Sequence, residues 1–170
     1  MAGQSLRLWA NIVWLGLSAA AAAALLQGHN PKVYVGMGAV LCLAVLERDD
    51  PSWQGFVSSV AGRLGESLLY AAIAWSYARG DAPDTWGAAA AATLLSLSLI
   101  SPYVRVRARS LDLAAPSSGS VERGVRVALV GIGFYSTHAL LLSTVWTASG
   151  LTAAWALTRS AAVWRGARSA

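Results

Sequence analysis

The sequence predicts an all-α, polytopic membrane helix bundle of about six transmembrane helices, forming a single integral membrane domain over residues 1–170. Three observations carry that prediction. Of 170 residues, 56% are hydrophobic and only 12% charged, with a mean hydropathy of +0.51, whereas soluble domains carry roughly 25% charged residues. Apolar runs recur between short connections rich in turn residues, "GDAPDTW" and "LAAPSSGS" among them. Basic residues also collect in alternate connections.

Taken in order, the expected spans are 8–26, 33–46, 55–77, 86–104, 125–137 and 138–157. The first, Leu8 to Leu26, is 19 residues long and can cross a bilayer. Its lone arginine, apolar core and small residues also imitate a signal peptide. Because further spans follow, a first membrane helix is the simpler reading. The second and fifth are short and suit helices that run past the bilayer or are shielded by neighbours. With six spans, both termini share a face with the second-to-third and fourth-to-fifth connections. That face collects Arg7, Arg48, Arg105, Arg107, Arg109, Arg123, Arg126, Arg159, Arg165 and Arg168, against Lys32 and Arg79 opposite. Ten against two, with Arg63 inside a helix, predicts cytoplasmic termini. The arginines also predict attraction to anionic phospholipids.

Several function classes are excluded or disfavoured. A single cysteine, Cys42, permits neither a disulfide framework nor a cysteine zinc cluster. The two histidines, His29 and His138, are far apart in sequence. A pI near 10.0 does not point to nucleic acid, because the basic residues follow topology rather than forming a soluble patch.

The third span, "SWQGFVSSVAGRLGESLLYAAIAW", carries the most chemistry. On a helix, Ser58, Gly62 and Glu66 are spaced by four and share one face, bordered by Gly55, Ser59 and Gly65. One reading is close packing through small residues, with Arg63 and Glu66 pairing three apart. The other is a functional cavity, since ionisable residues at membrane depth face water or a partner. In "SPYVRVRARSLDL", Arg105, Arg107 and Arg109 alternate, so no helix places all three on one face. In "VERGVRVAL", Arg123 and Arg126 do share one. The two groups either signal topology or converge on a phosphate, which arginine grips bidentately.

Three stretches carry a resemblance: "ERDDPSWQGFVSSVAGRLGESLLYAAIAW", "LISPYVRVRARSLDLAAPSSGSVERGVRVALVGIG" and "LTAAWALTRSAAVWRGAR". From about Arg48 onward the chain resembles the CDP-alcohol phosphatidyltransferase family, in particular its actinobacterial phosphatidylinositol-phosphate and phosphatidylglycerol-phosphate synthase-like members. The stretches cover roughly two-thirds of the chain, in family order. The likeness implies a six-span bundle with a cytoplasmic active face. The family signature, D-x-x-D-G-x-x-A-R followed after eight residues by G-x-x-x-D-x-x-x-D, holds two divalent metals on the CDP pyrophosphate. Here its four aspartates are absent. With Gly55 as the last signature glycine, Ser59 and Arg63 take the final two aspartate positions, and Gly38 and Leu41 the first two. One residue back gives Ser58 and Gly62, then Met37 and Val40. The alanine–arginine pair falls on Val45 and Leu46. Only Glu66 survives as an acid where some members carry one.

The resemblance therefore implies no working metal site and no cofactor. Mg²⁺ or Mn²⁺ would enter only if Asp49, Asp50, Glu66 and Glu122 converged to replace the lost ligands. By position Arg105, Arg107, Arg123 and Arg126 match residues that bind an acceptor phosphate in relatives, while Arg109 stands where many have glutamate. The expected function is a catalytically impaired family member in phospholipid synthesis, lipid- or phosphate-binding or regulatory, paired with itself or with an active synthase. The alternatives are a transferase with displaced ligands and an unrelated small membrane protein.

Overall fold

The computed structural model describes residues 2–44, 52–79, 82–110 and 120–169. They form six helices and no strand: α1 (Ala2–Leu26), α2 (Lys32–Ala44), α3 (Trp53–Ala78), α4 (Thr85–Arg109), α5 (Ser120–Phe134) and α6 (His138–Ser169). Three of them contain stretches long and apolar enough to cross a membrane: Leu8–Leu26, Thr85–Arg109 and His138–Gly166. α3 has the length, 26 residues, or about 39 Å at 1.5 Å per residue. Its glycines, serines, Arg63 and Glu66 dilute its hydropathy. α2 and α5, with 13 and 15 residues, reach only about 20–22 Å.

Several helix ends run past the hydropathy boundaries. α1 starts at Ala2 rather than Leu8, α4 continues past Val104 to Arg109, and α6 continues past Leu157 to Ser169. Backbone hydrogen bonding does not stop where the side chains turn polar, and arginine is a good helix former. Arg105, Arg107 and Arg109 thus lie on a helix. Pro102 sits inside α4, where it removes the bond to the carbonyl four residues back and crowds that carbonyl. α5 begins at Ser120 and ends at Phe134, three residues before the expected limit at Thr137.

Packing closes the helices into a ring in the order α1, α2, α5, α6, α4, α3 and back to α1. Side-chain contacts give the directions. Asn11 meets Ser58 and Trp14 meets Gly62, so α1 and α3 run parallel. Ser149 meets Ala90 and Arg159 meets Ser101, so α4 and α6 do too. Consequently the starts of α1, α3 and α5 and the ends of α2, α4 and α6 share the arginine-rich end of the bundle.

The interior is filled by Trp14, Leu69, Tyr70, Leu94, Val127 and Val145, among others. Trp14, only 1% exposed, is the wedge between α1, α2 and α3. It fits because Gly38 and Gly65 present bare backbone: a Cβ on Gly65 would lie 2.5 Å from Trp14 Nε1, and one on Gly38 would overlap the ring. Trp14 Nε1 donates to the Gly62 carbonyl at 3.3 Å. Outward, every helix shows large apolar side chains, such as Trp9, Val40, Leu64, Leu99, Ile132 and Leu157. Replacing Trp14 with Ala should cost about 3–5 kcal/mol, as for other large core truncations, read as a lower unfolding temperature in detergent. Gly65→Val should destabilise by the opposite route, overpacking against the indole.

At the other end Asp84 caps α4, accepting from Gly87 N at 2.9 Å and lying 3.4 Å from His138 Nε2. The Gly87 N–H, aided by His138, holds this carboxyl below its ordinary value of 3.8. A lowered carboxylate stabilises the fold above its ordinary value, and the contribution is lost as pH falls through the native one. Thermal stability should therefore drop on acidification below about pH 4, and Asp84→Ala should remove that component of the pH profile.

Candidate functional site

Ser52 starts α3 by accepting from Gly55 N at 3.1 Å, which sets the rotation of everything after it. The face turned into the bundle carries Ser58, Ala61, Gly62, Gly65, Glu66 and Leu69. Ser59 is exposed on the other side. Opposite this face stands the first part of α5, whose Glu122, Arg123 and Arg126 are all buried.

Glu66, 0% exposed, is the centre. Its carboxylate accepts from Arg126 Nη2 at 3.2 and 3.3 Å and lies 3.3 Å from Arg123 Nε. Arg63 Nη1 is 3.6 Å away, the pairing expected for residues three apart. Arg123 extends the network, donating to Asn11 Oδ1 at 2.7 Å, while Asn11 Nδ2 donates to Ser58 Oγ at 2.7 Å. The guanidinium lies flat against Gly62, where an added Cβ would come within 2.6 Å of Nη1. It also sits 5.8 Å from the Trp14 ring centroid, within cation–π range. Glycine at 62 is thus required by close approach, since any side chain there would displace Arg123.

A second buried cluster adjoins the first through the neighbouring residue on α5. Glu122 pairs with Arg159 of α6 and accepts from Ser101 Oγ at 3.2 Å. Arg159 Nη1 closes the triad on Ser101 Oγ at 2.7 Å. One turn and a half of α5 therefore ties α1 and α3 on one side to α4 and α6 on the other.

The structure gathers Ser58, Gly62, Arg63, Glu66, Arg123 and Arg126 and leaves Ser59 on the surface. Arg105 is half-buried on α4. Arg107 is exposed beside a groove between α4 and α6. Asp49 and Asp50, with Val45, Leu46 and Arg48, lie outside the described residues. Sequence reasoning missed Asn11, Trp14, Ser101 and Arg159 as members of these networks. The available signal was an amide side chain within an apolar span, Asn11.

A divalent cation does not fit this arrangement. Among the described residues no group of three or more His, Cys, Asp or Glu could hold a metal. The one carboxylate facing Ser58 and Gly62 is already engaged by guanidiniums, which would repel a dication. Mg²⁺ demands near-octahedral oxygen ligation. What the arrangement does well is join helices: Glu66 and Arg126 are 60 residues apart in sequence.

No family model, curated protein or solved structure matches the chain.

Removing one member of a buried pair typically costs about 3–5 kcal/mol, because the other charge is left uncompensated. Glu66→Ala strands guanidiniums and should lower stability by that amount in detergent unfolding. Arg126→Met leaves Glu66 with Arg63 and Arg123 and should cost less. The double variant Glu66→Met/Arg126→Met should be more stable than the sum of the single effects predicts, the sign of direct coupling.

Proposed function

We propose that the chain is a membrane-embedded, non-catalytic relative of the CDP-alcohol phosphatidyltransferases, acting as a lipid-binding or regulatory subunit in phospholipid synthesis. The observation that carries the reading is the clasp of Arg123 and Arg126 on Glu66. The inward face of α3 bears Ser58 and Gly62, which favours the alignment that sets these two at the signature's last aspartate positions. Directly opposite lies the Glu-Arg-x-x-Arg segment of α5. Where an active relative would hold metal cations between α3 and its neighbours, this chain has guanidinium groups bonded to its own residues.

The consequence for chemistry is direct. Transfer of a phosphatidyl group from CDP needs divalent ions to neutralise the pyrophosphate and clamp the attacking and leaving oxygens. A pocket that offers cations in place of carboxylates cannot seat them. Arg123 and Arg126 are also committed to Glu66, which moves any headgroup contact toward the exposed Arg107 end of α4.

The apolar surface on all six helices supports six membrane-crossing or membrane-embedded elements, with the arginine-rich end, and both termini, cytoplasmic. In this reading the partner is a second copy or an active synthase packed within the plasma membrane.

Purified protein given CDP-diacylglycerol, Mg²⁺ or Mn²⁺, and glycerol phosphate or inositol phosphate should release no CMP above a protein-free control. Titration calorimetry should show no Mn²⁺ binding at millimolar concentration. CMP release abolished by Glu66→Gln, or two bound Mn²⁺ per chain, would mean that displaced acids hold metals after all.

A further inference from the structure

A groove of about 590 Å³ opens on the outer surface between the last turns of α4 and α6, within the usual size range of small-molecule pockets. Val104 and Tyr103 form one wall, Val163 and Trp164 the other, with Arg107 and Arg168 lining the same groove. Among the described residues no carboxylate lines it. We propose that this groove is a binding site for one anionic phospholipid, an acyl chain lying along the apolar walls and the phosphate held between Arg107 and Arg168.

The two helices present the same device. On α4, Tyr103 precedes Arg107 by four residues; on α6, Trp164 precedes Arg168 by four. Residues four apart share a helix face, so on each helix the backbone of the aromatic residue lies about 6 Å further from the helix end than that of its arginine. The pairing of Ser101 with Arg159 fixes the parallel register, which brings both arginines to the same end of the bundle. The Arg168 guanidinium carbon is 4.9 Å from the Trp164 ring centroid, so its position over the groove wall is held by cation–π attraction.

Charge and polarity select the ligand. Aromatic rings favour the boundary of a bilayer and arginine the headgroup level. Two planar guanidiniums match the oxygens of a phosphodiester. A zwitterionic lipid brings a cation to the same place and is disfavoured. A free phosphate or sugar phosphate gains nothing from the valine, tyrosine and tryptophan walls. The inference rests on the membrane placement proposed above but not on the transferase kinship. An inactive enzyme assay and a failed lipid assay are therefore distinguishable results.

Native mass spectrometry of the detergent-purified protein, titrated with phosphatidylglycerol or phosphatidylcholine, tests it. Phosphatidylglycerol should bind at least about fivefold more tightly, and Arg107→Gln/Arg168→Gln should reduce that preference to within about twofold. Ser160→Phe, which projects a ring into the groove from an exposed position, should weaken phosphatidylglycerol binding with both arginines intact. Arg165→Gln, a basic change outside the groove, should leave the preference unchanged. Excess soluble glycerol phosphate should not displace the lipid. Retention of the preference in the double arginine variant, indifference to Ser160→Phe, or displacement by glycerol phosphate would each overturn the proposal.

Discussion

The Glu66 carboxylate gripped by guanidiniums from α5 is the constraint around which the bundle is arranged. Inside the packed bundle there is no water to solvate an unpaired charge, so the buried Glu66, Arg123 and Arg126 must pair or the helices pack at a large cost. That requirement sets the height and rotation of α5 relative to α3. It also explains why Gly62 and Gly65 lie where they do: one admits Arg123 and the other the Trp14 indole.

Such an arrangement is not the cheapest way to hold helices together. Well-packed apolar residues of similar volume often stabilise as much as a buried ion pair or more. What charges add is specificity, because a one-turn slip of α5 would separate Arg126 from Glu66 and Glu122 from Arg159. The adjoining Ser101–Glu122–Arg159 triad works the same way on the other side of α5. Five of the six helices are keyed to one another through this polar layer, while the far halves of the helices pack through Leu69, Ile73, Leu94 and Val145.

This layer also bears on function. A membrane protein keeps buried charge where it binds a ligand or moves an ion, or where it needs a fixed register. Here each described acid of the layer is met by arginine from another helix, which fixes the register of those helices. The groove between α4 and α6 lies apart from the layer and shares none of its residues. Ligand contact there leaves the internal ion pairs undisturbed.

The sequence alone determined the helical class, six helices, the uneven distribution of arginine between the two ends, and the inward spacing of Ser58, Gly62 and Glu66. These are properties of composition and of periodicity along single helices, which local propensity and hydropathy express directly. It also showed Arg123 and Arg126 on one face. Only the tertiary structure decided that this face meets Glu66, that Ser59 points outward, that Asn11 and Arg159 complete the networks, and that Arg107 and Trp164 line one groove. Those outcomes depend on how one helix is rotated and raised against another many tens of residues away. A helical repeat records the phase of its own axis and carries no record of its neighbour's.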